Sequence, residues 1–194
     1  MKKLMITGFQ PFGGESINPS YEAVRRLPEE INGYKIESLS LPVVFGEAAE
    51  VAIAAAQRLC PDVIIAVGQA GGRSEITPEY VGINLRYADV PDNKGKSPRD
   101  EAIKEGGSPA LFSTLPVRKM TEAISEAGLP ARISYSAGAY VCNDLYYSLL
   151  SHFCGTATRV CFIHVPYSRE QNKTPCMEIC DVVRALTVAI EAID

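Results

Sequence analysis

The sequence predicts an α/β sandwich built around a largely parallel sheet. Continuous apolar runs, such as the one that follows Asp62, are typical of strands covered on both faces. These runs alternate along the chain with helical patterns, and such alternation is typical of parallel sheets with helices packed against them. Since no internal repeat or linker interrupts the pattern, residues 1–194 are expected to form a single domain.

The predicted strands differ in their expected burial. Residues 34–41 alternate apolar and polar side chains, which is typical of a half-buried strand. Three other runs are mainly apolar and are predicted as buried strands: residues 3–7, 62–67 and 159–165. Shorter strands are expected at residues 81–85 and 131–135. The polar stretch 88–113 has little periodicity and is expected to be a long loop, a kind of segment that is often functional.

Start and stop signals locate the helices. Asn18 is the predicted N-cap of the first helix, with Pro19 at the first helical position and a helical pattern as far as Leu27. An alanine-rich helix at residues 45–59 ends before Pro61, because the residue before a proline disfavours the helical conformation. The remaining helices are predicted at residues 117–126, after Cys142 and at residues 176–190.

The composition argues against several classes of partner. A formal charge of −4 does not suit nucleic acid binding, because phosphate recognition requires a basic surface. No apolar run approaches the roughly 18 residues that a membrane helix needs. The start at Lys2 and Lys3 resembles the charged end of a signal peptide, but the apolar stretch breaks at Gly8. A cytoplasmic protein is therefore expected.

The six cysteines are expected to be reduced thiols, because a chain with no export signal rarely carries a disulfide framework. Cys176 and Cys180 are expected on one face of the last helix. The chain has no C-x-x-C pair and only two histidines, so no metal and no other cofactor is predicted.

Cys142 is the candidate nucleophile. It lies between a small-residue loop and a helix in which Leu145, Leu149 and Phe153 recur every four residues. Asn143 and Asp144 suit the N-cap and the first turn of this helix. Unpaired N–H groups and the helix dipole at its start are expected to lower the pKa of the thiol. The alternative is a small buried core residue.

A cysteine nucleophile generally needs a histidine base. His152 lies ten residues along the same helix, about 15 Å from Cys142, and cannot reach the sulfur. His164 is predicted at the carboxyl end of a strand, the edge where α/β sheets bind ligands. The alternative for His164 is a satisfied core histidine.

A third group usually orients the imidazole. Glu79 is the best placed acid, because it follows a glycine-rich loop that leaves the carboxyl end of a buried strand. The residues alone leave Asp62, Glu75 and Asp89 as rivals.

Several short motifs then resemble the pyroglutamyl peptidase I family in their order and spacing. They are residues 7–9, 11–14, 18–20, 68–73, 76–79, 91–93, 136–138, 141–143 and 164–167. The resemblance runs from residue 4 to about residue 170. It implies a three-layer α/β/α sandwich with a mixed, largely parallel twisted sheet. It also implies a cytosolic cysteine peptidase, commonly a homotetramer, that removes N-terminal pyroglutamate (5-oxoproline) from peptides.

The same resemblance assigns roles to individual residues. Cys142, His164 and Glu79 match the family's catalytic triad. A second set matches its substrate pocket: Phe9 and Phe12 sandwich the lactam ring, the Gln69 and Val141 region supplies polar contacts to it, and Asn18 helps to hold the phenylalanine loop. These assignments suit a neutral lactam, whose binding requires apolar walls and a few amide-type hydrogen bonds.

One position departs from the family pattern. Asp89 stands where the family usually has an arginine that helps to form the oxyanion site. Either Arg86 replaces that arginine from another direction, or backbone N–H groups at the start of the Cys142 helix act alone.

Two other functions remain as alternatives. The loop Gly68–Arg73 could hold an anion in a phosphorylase-like enzyme, although its glycine spacing matches neither G-x-G-x-x-G nor a P-loop. The same pocket beside an inert cysteine would make a non-catalytic small-ligand binding module.

Overall fold

Ten strands and five helices account for the regular structure in a computed structural model, which describes residues 1–194. The strands are β1 (Lys2–Phe9), β2 (Glu30–Ile31), β3 (Tyr34–Leu41), β4 (Val63–Gln69), β5 (Thr77–Glu79), β6 (Val81–Ile83), β7 (Ala110–Phe112), β8 (Arg159–Val165), β9 (Tyr167–Ser168) and β10 (Cys176–Met177). The helices are α1 (Pro19–Val24), α2 (Glu47–Leu59), α3 (Val117–Glu126), α4 (Val141–His152) and α5 (Ile179–Glu191), with a 3-10 turn at Arg169–Gln171. None of these helices combines the length and apolarity needed to cross a membrane.

Six strands form one mixed sheet in the order β2-β3-β1-β4-β8-β5. The four central strands are parallel, whereas the edge strands β2 and β5 run antiparallel to their neighbours. β4 pairs with β8 along its whole length, from Val63 opposite Arg159 to Gln69 opposite Val165. The predicted mixed and largely parallel sheet is confirmed.

Helices cover both faces of this sheet, which confirms the predicted three-layer sandwich. Side chains of α1, α3 and α5 form one buried apolar cluster, and those of α2 and α4 form the other. β4 contributes to both clusters in alternation, with Ile65 and Val67 on the first face and Ile64 and Ala66 on the second. We refer to the second face as the α4 face.

Two strand predictions are wrong in part. Residues 131–135 form no strand and make only isolated bridges, such as Glu79 with Ser134. Conversely, β5 is a strand that the sequence pattern did not predict. It contains Pro78, which has no N–H to donate, and it lies at the sheet edge, where proline is tolerated. The predicted strand at 81–85 is shorter and pairs with β7 outside the main sheet.

The helix boundaries also differ from those predicted. α1 ends at Val24 rather than Leu27, and α2 begins at Glu47. α5 begins at Ile179, and Cys176 belongs to β10. The prediction that Cys176 and Cys180 share one face of the last helix is therefore wrong.

Candidate active site

The edge strand β5 brings Glu79 to His164. Glu79 lies opposite Phe162 of β8, and His164 is two residues further along, on the same face of the sheet. Glu79 Oε1 lies 2.7 Å from His164 Nδ1, and both side chains are buried. The predicted histidine and acid are therefore hydrogen-bonded, whereas the sequence left the choice of acid open.

Arg73 is the second partner of Glu79 Oε1, whereas the buried Oε2 has no hydrogen-bond partner. Its Nη1 donates to Glu79 Oε1 at 2.7 Å and to Thr77 Oγ1 at 2.6 Å, and its Nη2 donates to the carbonyl of Ser136 at 3.1 Å. Burial tends to raise the pKa of Glu79, but hydrogen bonds from His164 and Arg73 hold it below its ordinary value. Glu79 is therefore ionised at neutral pH. The sequence placed Arg73 only in a glycine-rich loop, and nothing there signalled its carboxylate partner.

Cys142 is the second residue of α4 and is half-buried on the α4 face. Its sulfur packs directly against Gly68 of β4, where a Cβ would lie only 2.9 Å from Sγ. Gly68 is opposite His164 in the sheet, so the thiol and the imidazole lie against the same pair of strands. No hydrogen bond joins Cys142 Sγ to His164.

The thiol does not have the low pKa expected from its helix-start position. Burial, followed by the negative charge of Glu79, raises the pKa of Cys142 from 9.0 to about 12, although Arg73 opposes the shift. A rise from 9.0 to about 12 corresponds to about 4 kcal/mol, whereas a helix terminus contributes about 0.3–1 kcal/mol at an exposed site and up to about 2 kcal/mol at a partly buried one. Desolvation therefore outweighs the helix dipole, and the expectation of a lowered pKa is wrong.

His164 is also neutral in the free protein. Burial lowers its pKa below 6.5, and the positive charge of Arg73 acts in the same direction. The hydrogen bond and charge of Glu79 oppose this shift without overcoming it. The site thus contains a neutral thiol and a neutral imidazole, with an ionised carboxylate behind the imidazole.

Tertiary hydrogen bonds, rather than a side-chain cap, fix the start of α4. Tyr140 is at the N-cap position, so the predicted role of Asn143 as cap is wrong. The Asn143 amide instead exchanges hydrogen bonds with the N–H and carbonyl of Ile83 and donates to the carbonyl of Leu85, at 2.9–3.0 Å. Asn143 is fully buried and therefore anchors the helix that carries Cys142.

The two charged residues considered for the oxyanion site are both engaged elsewhere. Arg86 Nε donates to the buried Asp144 at 2.6 Å. Asp89 is largely exposed and accepts from Arg99 and from the Tyr87 hydroxyl at 2.9 and 2.8 Å. The first N–H groups of α4 remain without helical partners and are the donors nearest to Cys142 in the chain.

Only one of the two phenylalanines lies in the loop after β1. Phe9 is the last residue of β1 and only 2% exposed. Phe12 is half-buried, and its ring centroid lies 6.5 Å from that of Tyr140. Both phenylalanines and Val141 pack into the apolar cluster of the α4 face, which also contacts Cys142.

Asn18 caps α1 as predicted and also holds this loop. Its Oδ1 accepts from Ser20 N–H and Oγ at 3.1 and 2.8 Å, and its Nδ2 donates to the carbonyl of Gln10 at 3.0 Å. Ser20 Oγ in turn accepts from the N–H of Phe9 at 2.9 Å. The end of β1 is thereby fixed to the start of α1.

Gln69 directs its side chain away from Cys142. It is opposite Val165 of β8, and the alternation along β4 places its carboxamide on the face opposite Gly68. Its Oε1 accepts from Gln171 Nε2 at 2.9 Å, and Gln171 Oε1 accepts from the N–H of Ser168 at 3.0 Å. On the α4 face, therefore, only backbone groups of Gln69 are available for polar contacts. No sequence signal pointed to Gln171.

His152 ends α4, at the opposite end of the helix from Cys142, and its ring packs against Phe153 at 4.8 Å between centroids. It takes no part in the cluster around His164, in agreement with the distance argument from the sequence.

A three-layer α/β fold with a cysteine at a helix start, beside a histidine–glutamate pair, is the arrangement of a cysteine peptidase. A family model described as pyroglutamyl peptidase matches residues 2–194. The chain therefore belongs to the pyroglutamyl peptidase family.

Individual relatives agree with this assignment. The chain is 47% identical to the pyrrolidone-carboxylate peptidase of Lactobacillus helveticus over 97% of each chain. It is 48% identical to pyrrolidone-carboxylate peptidase 1 of Streptococcus pneumoniae over 98% of this chain and 92% of the relative. Its structure superposes on pyroglutamyl peptidase I from Bacillus amyloliquefaciens with a TM-score of 0.95 and 42% identity, covering 100% of this chain and 97% of the other.

Proposed function

We propose that this protein is a cysteine exopeptidase that removes N-terminal pyroglutamate from peptides through a thioacyl-enzyme intermediate. The observation that carries the proposal is the buried hydrogen bond between His164 and Glu79. His164 is paired in the sheet with Gly68, and the sulfur of Cys142 packs against Gly68. In a member of the pyroglutamyl peptidase family, this arrangement supports a catalytic triad of these three residues.

The protonation states define the first chemical step. Because Cys142 and His164 are both neutral, His164 accepts the thiol proton as the sulfur attacks the carbonyl that follows the ring. Ionised Glu79 stabilises the resulting imidazolium through Nδ1. The imidazolium then donates its proton to the departing amine, and a water deprotonated by His164 hydrolyses the thioester and frees Cys142.

The developing negative charge on the carbonyl oxygen is met by the first backbone N–H groups of α4, which have no partners within the helix. The engagement of Arg86 by Asp144 and of Asp89 by Arg99 supports a backbone oxyanion site without arginine assistance.

The pyroglutamate ring occupies the α4 face next to Cys142, where Phe9, Phe12 and Val141 supply apolar walls. Backbone groups of Gln69 and Val141 bind the ring amide and carbonyl. Asn18 acts indirectly by holding the loop that carries Phe12.

We further propose one catalytic domain spanning residues 1–194 that acts in the cytoplasm as a homo-oligomer, with four subunits as in the family resemblance. Exposed aromatic side chains at Tyr80, Phe112 and Tyr135 lie next to one another and support burial against a second copy. Reduced cysteines, as expected for that compartment, suit a thiol enzyme.

The phosphorylase alternative is not favoured. The only cation of the loop Gly68–Arg73 is the guanidinium of Arg73, and it is held by Glu79 rather than directed at a free anion site.

Hydrolysis of a pyroglutamyl coumarin amide tests the proposal, with the prolyl analogue as the specificity control. We expect release from the pyroglutamyl substrate only, and no release after Cys142→Ser or His164→Ala. His152→Ala serves as the matched histidine control and should retain activity. Failure of the fresh, reduced protein to hydrolyse the pyroglutamyl substrate would refute the proposed function, and specific binding without turnover would favour the binding module.

A further inference from the structure

Tyr146 lies behind the proposed triad, on the helix that carries Cys142. It follows Cys142 by four positions in α4, so the two side chains lie on the same face of the helix, about one turn apart. Tyr146 is completely buried in the apolar cluster of the α4 face. Its hydroxyl requires a hydrogen-bond partner there, because a buried polar group without a partner is costly.

The partner of this hydroxyl is the backbone of Glu79. Tyr146 Oη donates to the carbonyl of Glu79 at 3.0 Å, and both residues are fully buried. Glu79 belongs to β5, which has only three residues and lies at the edge of the sheet. A hydrogen bond from α4 therefore supports the position of Glu79, in addition to its pairing with Phe162 of β8.

The ring of Tyr146 reaches His164 through one intervening aromatic side chain. The ring centroids of Tyr146 and Phe162 lie 5.7 Å apart, and those of Phe162 and His164 lie 4.7 Å apart. Both distances are typical of aromatic contacts. Gly82 leaves room for the first ring, because a Cβ at this position would lie 3.2 Å from Tyr146 Cδ1. Tyr146 is thus linked to the acid by its hydroxyl and to the histidine by its ring.

The ionisable groups around His164 come from three elements. They are Glu79 on β5, Arg73 in the loop after β4, and Cys142 on α4. Burial and Arg73 lower the pKa of His164, whereas Glu79 raises it. A weaker contact with Glu79 therefore lowers this pKa further. Tyr146 adds no charge of its own, because burial raises the pKa of its hydroxyl.

We propose that Tyr146 is a positioning residue that keeps Glu79 in hydrogen-bonding register with His164. Its hydroxyl acts through the backbone of β5, and its ring supports Phe162 beside the imidazole. The helix that carries the nucleophile therefore also fixes the acid of the triad. The effect of Tyr146 on turnover rests on the proposed function, whereas its hold on Glu79 is a property of the free protein.

Tyr146→Phe removes the hydroxyl and keeps the ring, and Tyr147→Phe is the matched control. Tyr147 is the next residue of α4 and is 1% exposed, and its hydroxyl donates to the carbonyl of Ser108 at 2.7 Å, outside the site. Each variant loses one hydrogen bond from a buried tyrosine to a backbone carbonyl, so both should lower the urea midpoint by a similar amount. We expect only Tyr146→Phe to lower kcat, by about threefold to tenfold, with KM within about twofold of wild type.

Proton NMR reads the contact between His164 and Glu79 without turnover. An Nδ1–H that donates to a carboxylate makes a charge-assisted hydrogen bond and gives a downfield signal, and the chain has only one other histidine. We expect Tyr146→Phe to move the His164 signal upfield and to shift the acid limb of kcat/KM to lower pH. Tyr147→Phe should change neither. In a Glu79→Gln background, Tyr146→Phe should not shift the acid limb further, because the hydroxyl acts through Glu79.

The outcomes separate a positioning role from a purely structural one. An unchanged Nδ1–H signal in Tyr146→Phe, or an equal loss of kcat in Tyr147→Phe, would overturn the role of Tyr146. A further shift of the acid limb in the Glu79→Gln background would mean that the hydroxyl reaches His164 by another route, which also overturns it. Absence of turnover in the wild-type protein would refute the proposed function, whereas the NMR signal would still decide whether Tyr146 holds Glu79.

Discussion

Replacing Gly68 by alanine tests whether close packing of the sulfur against β4 sets the reactivity of the site. The new Cβ would lie 2.9 Å from Cys142 Sγ and 2.8 Å from Cζ of Phe162, whereas ordinary contacts are 3.4–4 Å. The sulfur or the strand must therefore shift by roughly 0.5–1 Å. Because a misplacement of about 1 Å can cost about 10²-fold in rate, we expect kcat to fall by about 10- to 100-fold.

The same substitution overpacks a buried region, which typically costs about 1–3 kcal/mol of unfolding free energy. For a chain of this size that lowers Tm by roughly 2–12 °C. Activity is measured with the pyroglutamyl coumarin amide well below Tm, so that the kinetic and stability effects are separated.

Gly107→Ala is the matched control. Its Cβ would lie 2.6 Å from the Tyr147 hydroxyl, an equally close contact away from Cys142. We expect it to lower Tm while kcat stays within about twofold of wild type. Wild-type kcat in Gly68→Ala would refute the claim that Gly68 positions the sulfur.

Three further predictions concern the surroundings of the site. Because His164 must be neutral to accept a proton and burial holds its pKa below 6.5, the acid limb of the profile of kcat/KM against pH should lie below pH 6.5. Glu79→Gln removes a group that raises the pKa of His164, so the acid limb should shift to lower pH. We also expect kcat to fall by roughly 10²–10⁴-fold. An acid limb that moves to higher pH would contradict the assignment of Glu79 as the partner of His164. Asn143→Ala leaves the N–H and carbonyl of Ile83 unpaired and should cost about 2–4 kcal/mol in urea unfolding, whereas an unchanged unfolding midpoint would show that Asn143 does not anchor α4.

The central layer was predictable because its strands are buried on both faces. β4 and β8 are continuous apolar runs, and their composition alone distinguishes them from surface segments. β5 was missed because its pairing with β8 joins residues about 85 positions apart, and because Pro78 weakens any local strand signal.

The site was predictable in its residue types but not in its electrostatics. The choice of His164 over His152 needed only the length of a helix. The pKa of Cys142, in contrast, depends on burial by groups from several elements. The helix-start position alone predicted a lowered pKa, whereas burial raises it. The hydrogen-bond partners of Asn143 and Arg73 could not be predicted from the sequence either, because these bonds depend on how separate segments of the chain pack together.

The position of Glu79 on an edge strand makes catalysis sensitive to local opening. β5 has only three residues, and on its outer side it pairs with no further strand of the sheet. The segment 130–134 holds it there by backbone hydrogen bonds, among them Ser134 N–H to the carbonyl of Pro78 at 2.9 Å and Tyr80 N–H to the carbonyl of Ser134 at 2.7 Å. Edge segments of this kind open with a free energy below that of global unfolding. When β5 frays, Glu79 leaves His164 while the rest of the sheet stays folded. Loss of activity on heating should then precede the cooperative transition, with early hydrogen exchange at the Tyr80 amide.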